Sequence, residues 1–291
     1  MDPDVEIMFV TEQGKLIPEE KTRVSVSRDF SRRTLPEDEA SIETIWSNRL
    51  KENPRLFNGT KFRVHSVSTD GSGVVTLNVS LTDYREYLGT NWAPDVDKLQ
   101  ARGQRECGDP QAFLSDPMGV GAFVLTSDGH VIFLKRSLHC AEAPAMWDIP
   151  GGHAEPEELA GEKPISEIDM SQLTSADVAR EIFHSILREV RDEVNIGEEH
   201  LSPALLIGIA KNTTSAGRPS LEFLVRCSLS KDQVLALYNQ GSQLEADEST
   251  KIMFLSVSAV VNMQSQDPSL WAQVAPSAKG CVLLYKMSHG L

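Results

Sequence analysis

The sequence predicts an α+β protein in which a mixed sheet is sandwiched between helices and preceded by a smaller α+β N-terminal domain. Three observations carry this expectation. Strand-like runs alternate with two or three helical stretches after residue 118, a polar stretch around residue 110 separates them from an earlier mixed region, and a Pro-Gly-Gly turn leads toward one long helix. At 291 residues and 40% hydrophobic content, the chain can bury a sizeable core in one or two domains.

In the first unit, taken as residues 1–112, a helical pattern around Ser41–Asn53 precedes strand-like runs at Lys61–Val67 and Val74–Leu81. The stretch Ala101–Pro117 reads as the connection to a second unit, residues 113–291. That unit opens with a hairpin: Val120–Thr126, the turn Ser127-Asp128-Gly129, then Val131–Leu134. Trp147-Asp148-Ile149-Pro150-Gly151-Gly152 is a short apolar segment forced to turn sharply. Ala204–Ala210, Leu221–Cys227 and Lys251–Val257 read as strands, Lys231–Asn239 as a helix, and the terminal PSAKGCVLLYKM as either.

The long helix is expected over Asp177–Val194. Val178, Ile182, Ile186, Val190 and Val194 recur every fourth residue and form one apolar stripe. Thr174 with Asp177 three residues on is a capping pair, and Asn195 suits a left-handed C-terminal stop. Glu189, Asp192 and Glu193 stand at i, i+3 and i+4, so three carboxylates converge on one face. A solvated acidic face explains that pattern on its own, with Arg188 and Arg191 as partners. The sharper reading is a hard divalent cation, held by one or two carboxylates together with phosphate oxygens.

Upstream residues favour the second reading. Gly152 and Glu158, then Arg188-Glu189-Val190, Glu193 and Ile196, resemble the Nudix box G-x5-E-x7-R-E-U-x-E-E-x-G-U, where U is a bulky aliphatic residue. Three departures stand out: Asp192 replaces Glu, Asn195 replaces Gly, and 29 residues separate Glu158 from Arg188 where the family has seven. The last is a 22-residue insertion, about 159–180, expected to lie in the loop, where added length costs little closure entropy. The strings LGTNW, PGGHAEP, DEVN, TSAGR and PSAKG extend the resemblance, through almost the whole chain, to the animal Nudix enzymes that act on UDP-glucose and UDP-galactose.

The resemblance implies a Nudix α/β/α sandwich and Mg²⁺-dependent hydrolysis of UDP-sugars to UMP and hexose 1-phosphate, with Mn²⁺ able to substitute. Glu189 and Glu193 are the expected metal ligands, Asp192 an auxiliary one, and Arg188 the residue that orients the glutamates. Arg136, at a strand end, suits bidentate phosphate recognition. Asp148, His153 and Glu155 flank the Pro-Gly-Gly turn and are expected to meet the sugar or pyrophosphate. Phe57 and Tyr84 are the expected uracil contacts from the first domain, and Ser277 a further hydroxyl near the nucleotide. Two alternatives stay open: another nucleoside diphosphate derivative such as ADP-ribose, or a catalytically silent nucleotide-binding module.

Charge and composition narrow the partners. A formal net charge of -14, from 28 Lys+Arg against 42 Asp+Glu, would repel nucleic acid and anionic membranes, leaving a small phosphorylated ligand as the expected partner. No run approaches the roughly 18 apolar residues of a membrane span, and the start MDPDVEIMFV lacks a basic signal region, so the expected address is cytoplasmic or nuclear and not secreted. Cys107, Cys140, Cys227 and Cys281 are too scattered for a zinc cluster.

Overall fold

The computed structural model describes residues 2–140 and 142–291. Among them two sheets form. The smaller has the order β2 (Thr22–Val26), β4 (Val75–Asp83), β3 (Thr60–Thr69), with β2 parallel and β3 antiparallel to β4. Alternate residues Val75, Leu77, Val79 and Leu81 are buried, which is the period-two pattern of a strand with a core face. Helix α1 (Pro36–Glu52) precedes β3 and packs on α2 (Tyr84–Gly89), whose first turn is capped by the Asp83 carboxylate accepting from Glu86 N.

The larger sheet has eight strands in the order β1 (Val5–Val10), β9 (Leu205–Asn212), β10 (Arg218–Arg226), β5 (Gly119–Leu125), β6 (His130–Arg136), β11 (Ser249–Ser256). Short β7 (Trp147–Asp148) pairs with β6, and β8 (Gly151–His153) with β5. Among the described residues of this sheet only β10 and β5 run parallel, so it is mixed as the sequence predicts. Its two faces bury different clusters. Val120, Ala122 and Val124 of β5 pack with Ile182, Ile186 and Val190 of α5 (Ser175–Val194). Phe123 faces the other way, onto Val260 of α7 (Val257–Gln266) and Cys281, Val282 and Tyr285 of α9 (Pro276–His289). The result is the expected α/β/α sandwich. The remaining helices are α3 (Val96–Cys107), α4 (Glu157–Ala160), α6 (Lys231–Tyr238) and α8 (Pro268–Trp271).

Three features differ from the sequence reading, and a fourth resolves an assignment it left open. Residues 5–10, inside the expected first domain, pair with β9 in the larger sheet, and one core cluster joins Val24, Phe62 and Leu77 to Val178 and Ile182. A division at residue 112 therefore cuts through one continuous core. The expected connection Ala101–Pro117 is not a free linker: it starts inside α3, and Phe113 and Leu114 are buried. The insertion is only partly loop, because Ile168 and Leu173 enter the core and its last residues begin α5. The ambiguous C-terminal segment is helix α9, with Pro276 in its first turn and Gly290 left-handed after its end.

Candidate active site

The long helix meets the Pro-Gly-Gly turn side on. Its N-cap is Thr174, whose side chain accepts from Asp177 N, and its C-cap is Asn195 at φ 66°. Both ends match the sequence expectation. On the last turns, Glu193 Oε2 accepts from Gly151 N at 2.9 Å and Glu189 Oε1 accepts from His153 N at 3.1 Å. A Cβ on Gly152 would stand 2.0 Å from Glu189 Oε1, so glycine there is a steric requirement of the helix–turn contact.

These carboxylates are crowded and poorly hydrated. Burial, followed by the Glu245 charge, pushes Glu189 up to about 8. Burial and then the Glu189 charge push Glu193 well above the usual carboxylate range. Glu245, raised by burial and then by Glu248, sits at about 7. Oxygens of Glu193, Glu245 and Glu248 lie within 4.8 Å of one another, a separation at which one cation can bridge them. An all-oxygen donor set whose charges repel in a half-dry setting suits Mg²⁺, and the residues fit that ion.

Glu245 and Glu248 come from the loop after α6, which is fastened to the helix end. Asn195 Nδ2 donates to Leu237 O at 2.9 Å and to Ser242 Oγ at 3.0 Å, and Glu245 N donates to Asp192 O at 3.0 Å. The Asn195 departure from the family glycine therefore has a purpose: the residue keeps the left-handed turn and adds an amide that holds the loop.

Two expected roles change. Arg188 does not reach the glutamates it was expected to orient; its guanidinium forks onto Glu181, at 2.7 and 3.0 Å. Glu181 Oε1 also accepts from Glu155 N at 3.2 Å, so this buried carboxylate ties the helix to the loop after the glycines. Glu158, the Glu of the first half-motif, is exposed on α4. Asp192 turns to Arg191, at 2.7 and 2.9 Å, and is not in the acidic cluster.

The other expected residues line one cavity of about 560 Å³ with Glu189, Glu245 and Glu248. Arg136 pairs with Asp148 at 3.3 Å, and Ser277 Oγ donates to the same carboxylate at 2.9 Å. His153 is held neutral, chiefly by burial and then by the Lys61 charge. Lys61 of β3 forms an ion pair with Glu155. Phe57 is 70% exposed at the cavity mouth, and Tyr84, Tyr87 and Trp92 form an aromatic wall with ring centroids 6.3 and 5.2 Å apart in succession.

No family model matches the chain. Uridine diphosphate glucose pyrophosphatase NUDT22 of Bos taurus is 42% identical over 295 residues, covering 100% of this chain and 99% of that protein. The protein of the same name from Homo sapiens is 42% identical, covering 100% and 95%. Nudix hydrolase 9 of Arabidopsis thaliana is 33% identical, covering 84% and 82%. The chain belongs to the Nudix hydrolases. A solved Nudix hydrolase from Nitrosomonas europaea is 18% identical over 58% of this chain and 86% of that one, with a TM-score of 0.34, a likeness too remote to bear on the site.

The Nudix helix thus brings Glu189 to the cavity lining and Glu193 into the acidic cluster with Glu245 and Glu248, while motif reasoning missed Glu181, Glu245, Glu248, Lys61, Arg218 and Glu142. Glu181 stands seven residues before Arg188 on the same Nudix helix, two turns away, and that spacing was a usable signal. Glu245 and Glu248 lie some fifty residues beyond the box in a loop without regular pattern, and nothing local marks them.

Proposed function

We propose that this Nudix hydrolase cleaves the phosphoanhydride of UDP-sugars, UDP-glucose and UDP-galactose, releasing UMP and hexose 1-phosphate. The observation that carries the reading is one cavity holding both an acidic cluster suited to Mg²⁺ and the cations Lys61 and Arg136, in a chain 42% identical over its whole length to named UDP-glucose pyrophosphatases. A cavity of about 560 Å³ is of the size that small-molecule sites have.

Glu189, Glu193, Glu245 and Glu248 would hold the Mg²⁺. When bound, the ion would supply charge neutralisation for the pyrophosphate and would favour deprotonation of the attacking water. The chain's own residues do the rest. Arg136 and Lys61 face the cavity as phosphate partners, each at present held by a carboxylate, Asp148 and Glu155, that a pyrophosphate would replace. Neutral His153 donates or accepts without adding charge. Asp148 and Ser277 offer an acceptor and a hydroxyl to the hexose. Phe57 and Tyr84, which flank the three-stranded sheet, line the same cavity and would give the base a stacking surface.

The direct test is incubation with Mg²⁺ and a panel of nucleoside diphosphate derivatives. UMP from UDP-glucose or UDP-galactose is the expected product. AMP from ADP-ribose with no UMP, or no product from any compound, overturns the reading. Glu193→Gln removes turnover while the protein melts as cooperatively as the parent; retained turnover removes Glu193 from the site.

A further inference from the structure

We infer that Arg218 and Glu142 read the base of the nucleotide and select uracil; this rests on the UDP-sugar reading of the same cavity. Arg218 stands at the start of β10, and its guanidinium is laid across the neighbouring strand β5. Gly119 makes this possible, since a Cβ there would lie 2.6 Å from an Arg218 terminal nitrogen. The side chain lines the cavity yet is only 6% exposed. Among the described residues it makes one ion pair, with Glu142 at 3.1 Å, and its buried Nε has no hydrogen-bond partner. That Nε is sealed from solvent, so a ligand in the cavity would meet the terminal nitrogens of the guanidinium.

Glu142 is the complementary half. Its Oε1 accepts from Asn212 Nδ2 and Ser215 Oγ, each at 2.8 Å, and its Oε2 faces Arg218. A carboxylate has about four acceptor sites, so one remains. An open acceptor thus sits beside a guanidinium with N–H groups to spare. The uracil edge presents N3–H flanked by carbonyl oxygens, which fits that pair: N3–H donates to Glu142 and a carbonyl accepts from Arg218. Cytosine held in the same place presents the reverse, an N3 acceptor where uracil has N3–H and an amino donor where uracil has its O4 carbonyl.

Two features favour a base over a phosphate or a hexose. Glu142 stays fixed by Asn212 and Ser215 and keeps an acceptor site that a phosphate, with no hydrogen to donate, leaves unused and a neutral N–H fills. The aromatic wall adjoins the pair, because Trp92 Nε1 donates at 3.2 Å to the same Ser215 hydroxyl that bonds Glu142, and Tyr87 stacks obliquely on Trp92 at 5.2 Å. Edge recognition and a π-face are therefore adjacent, as a nucleobase requires.

The test is calorimetric titration of the metal-free full chain with UMP and with CMP, beside Glu142→Gln. Glu142 is partly exposed, so the change keeps the fold, and the wild-type comparison does not depend on it. Wild type is expected to prefer UMP by roughly tenfold or more, the value of one buried mismatch. In Glu142→Gln, whose amide can turn its NH₂ toward cytosine N3, the preference should fall to about threefold or less. Equal affinities in wild type overturn the proposal, as does an unchanged preference in the variant. A variant that alters discrimination between UDP-glucose and UDP-galactose while keeping the base preference also overturns it, by moving the pair to the hexose. Failure of the pyrophosphatase reading would look different: no UMP from UDP-glucose with Mg²⁺, with the binding preference for UMP intact.

Discussion

Gly152 and Glu189 are locked together by van der Waals contact, and a methyl at 152 would occupy the carboxylate's place. Gly152→Ala should therefore displace Glu189 by an ångström or so and lower kcat/KM by roughly a hundredfold, read as UMP release from UDP-glucose. Glu181 and Glu158 offer a sharper contrast. Glu181→Ala strips Arg188 and Glu155 N of their acceptor and should cost on the order of 2–3 kcal/mol in chemical denaturation, discounted for the partial exposure of Arg188. Glu158→Ala should leave the midpoint unchanged, although the motif alone makes Glu158 the more important residue. At this scale the sequence was informative where one helix carries the chemistry. Glu189 and Glu193 were legible because helical spacing and the glycine turn act locally, whereas Glu245, Glu248, Lys61 and Arg218 reach the cavity through long-range packing that no local pattern encodes.

The Nudix helix and the loop after α6 act as one mechanical unit, joined by the Asn195 side chain. Asn195→Gly restores the family residue and keeps the left-handed turn, yet it removes two hydrogen bonds. The expected outcome is a loss of about 1 kcal/mol in stability and a several-fold higher Mg²⁺ concentration for half-maximal activity, measured by titrating activity against Mg²⁺; an unchanged curve would detach the loop from the metal site. The insertion is the second element with a consequence. Ile168 is 2% exposed within it, so Ile168→Ala should destabilise the protein by about 2–3 kcal/mol, a result that an entropic loop would not give. Helix bounds and both caps of α5 were readable because capping chemistry is written in four residues at each end. The docking of the insertion was not, since Ile168 and Leu173 find their core only when the small sheet stands beside α5.

Across the whole molecule, the buried acidic cluster opposes folding unless a cation or protons neutralise it. Glu189 has a folded-state pKa raised to about 8, so its stabilising contribution is complete below its ordinary value near 4.5 and is lost as the pH rises through 8. With EDTA present, the melting temperature should fall between pH 5 and 8, with Glu189 contributing an upper bound on the order of 4 kcal/mol. Mg²⁺ should reverse that fall and raise the melting temperature more at pH 8 than at pH 5.5; a metal effect independent of pH would separate the cluster from the ion. The sandwich itself was legible from alternating strand and helix patterns. The pairing of β1 with β9 was not, because Val5–Val10 carries no mark of which distant strand it will join. That pairing also orders events in time. Residues 5–10 meet a partner made about 200 residues later, which at ~5–20 residues per second is roughly 10–40 s of synthesis. β1 thus leaves the ribosome well before the strand it pairs with, and during that interval its backbone is an open edge for other chains or a chaperone to occupy.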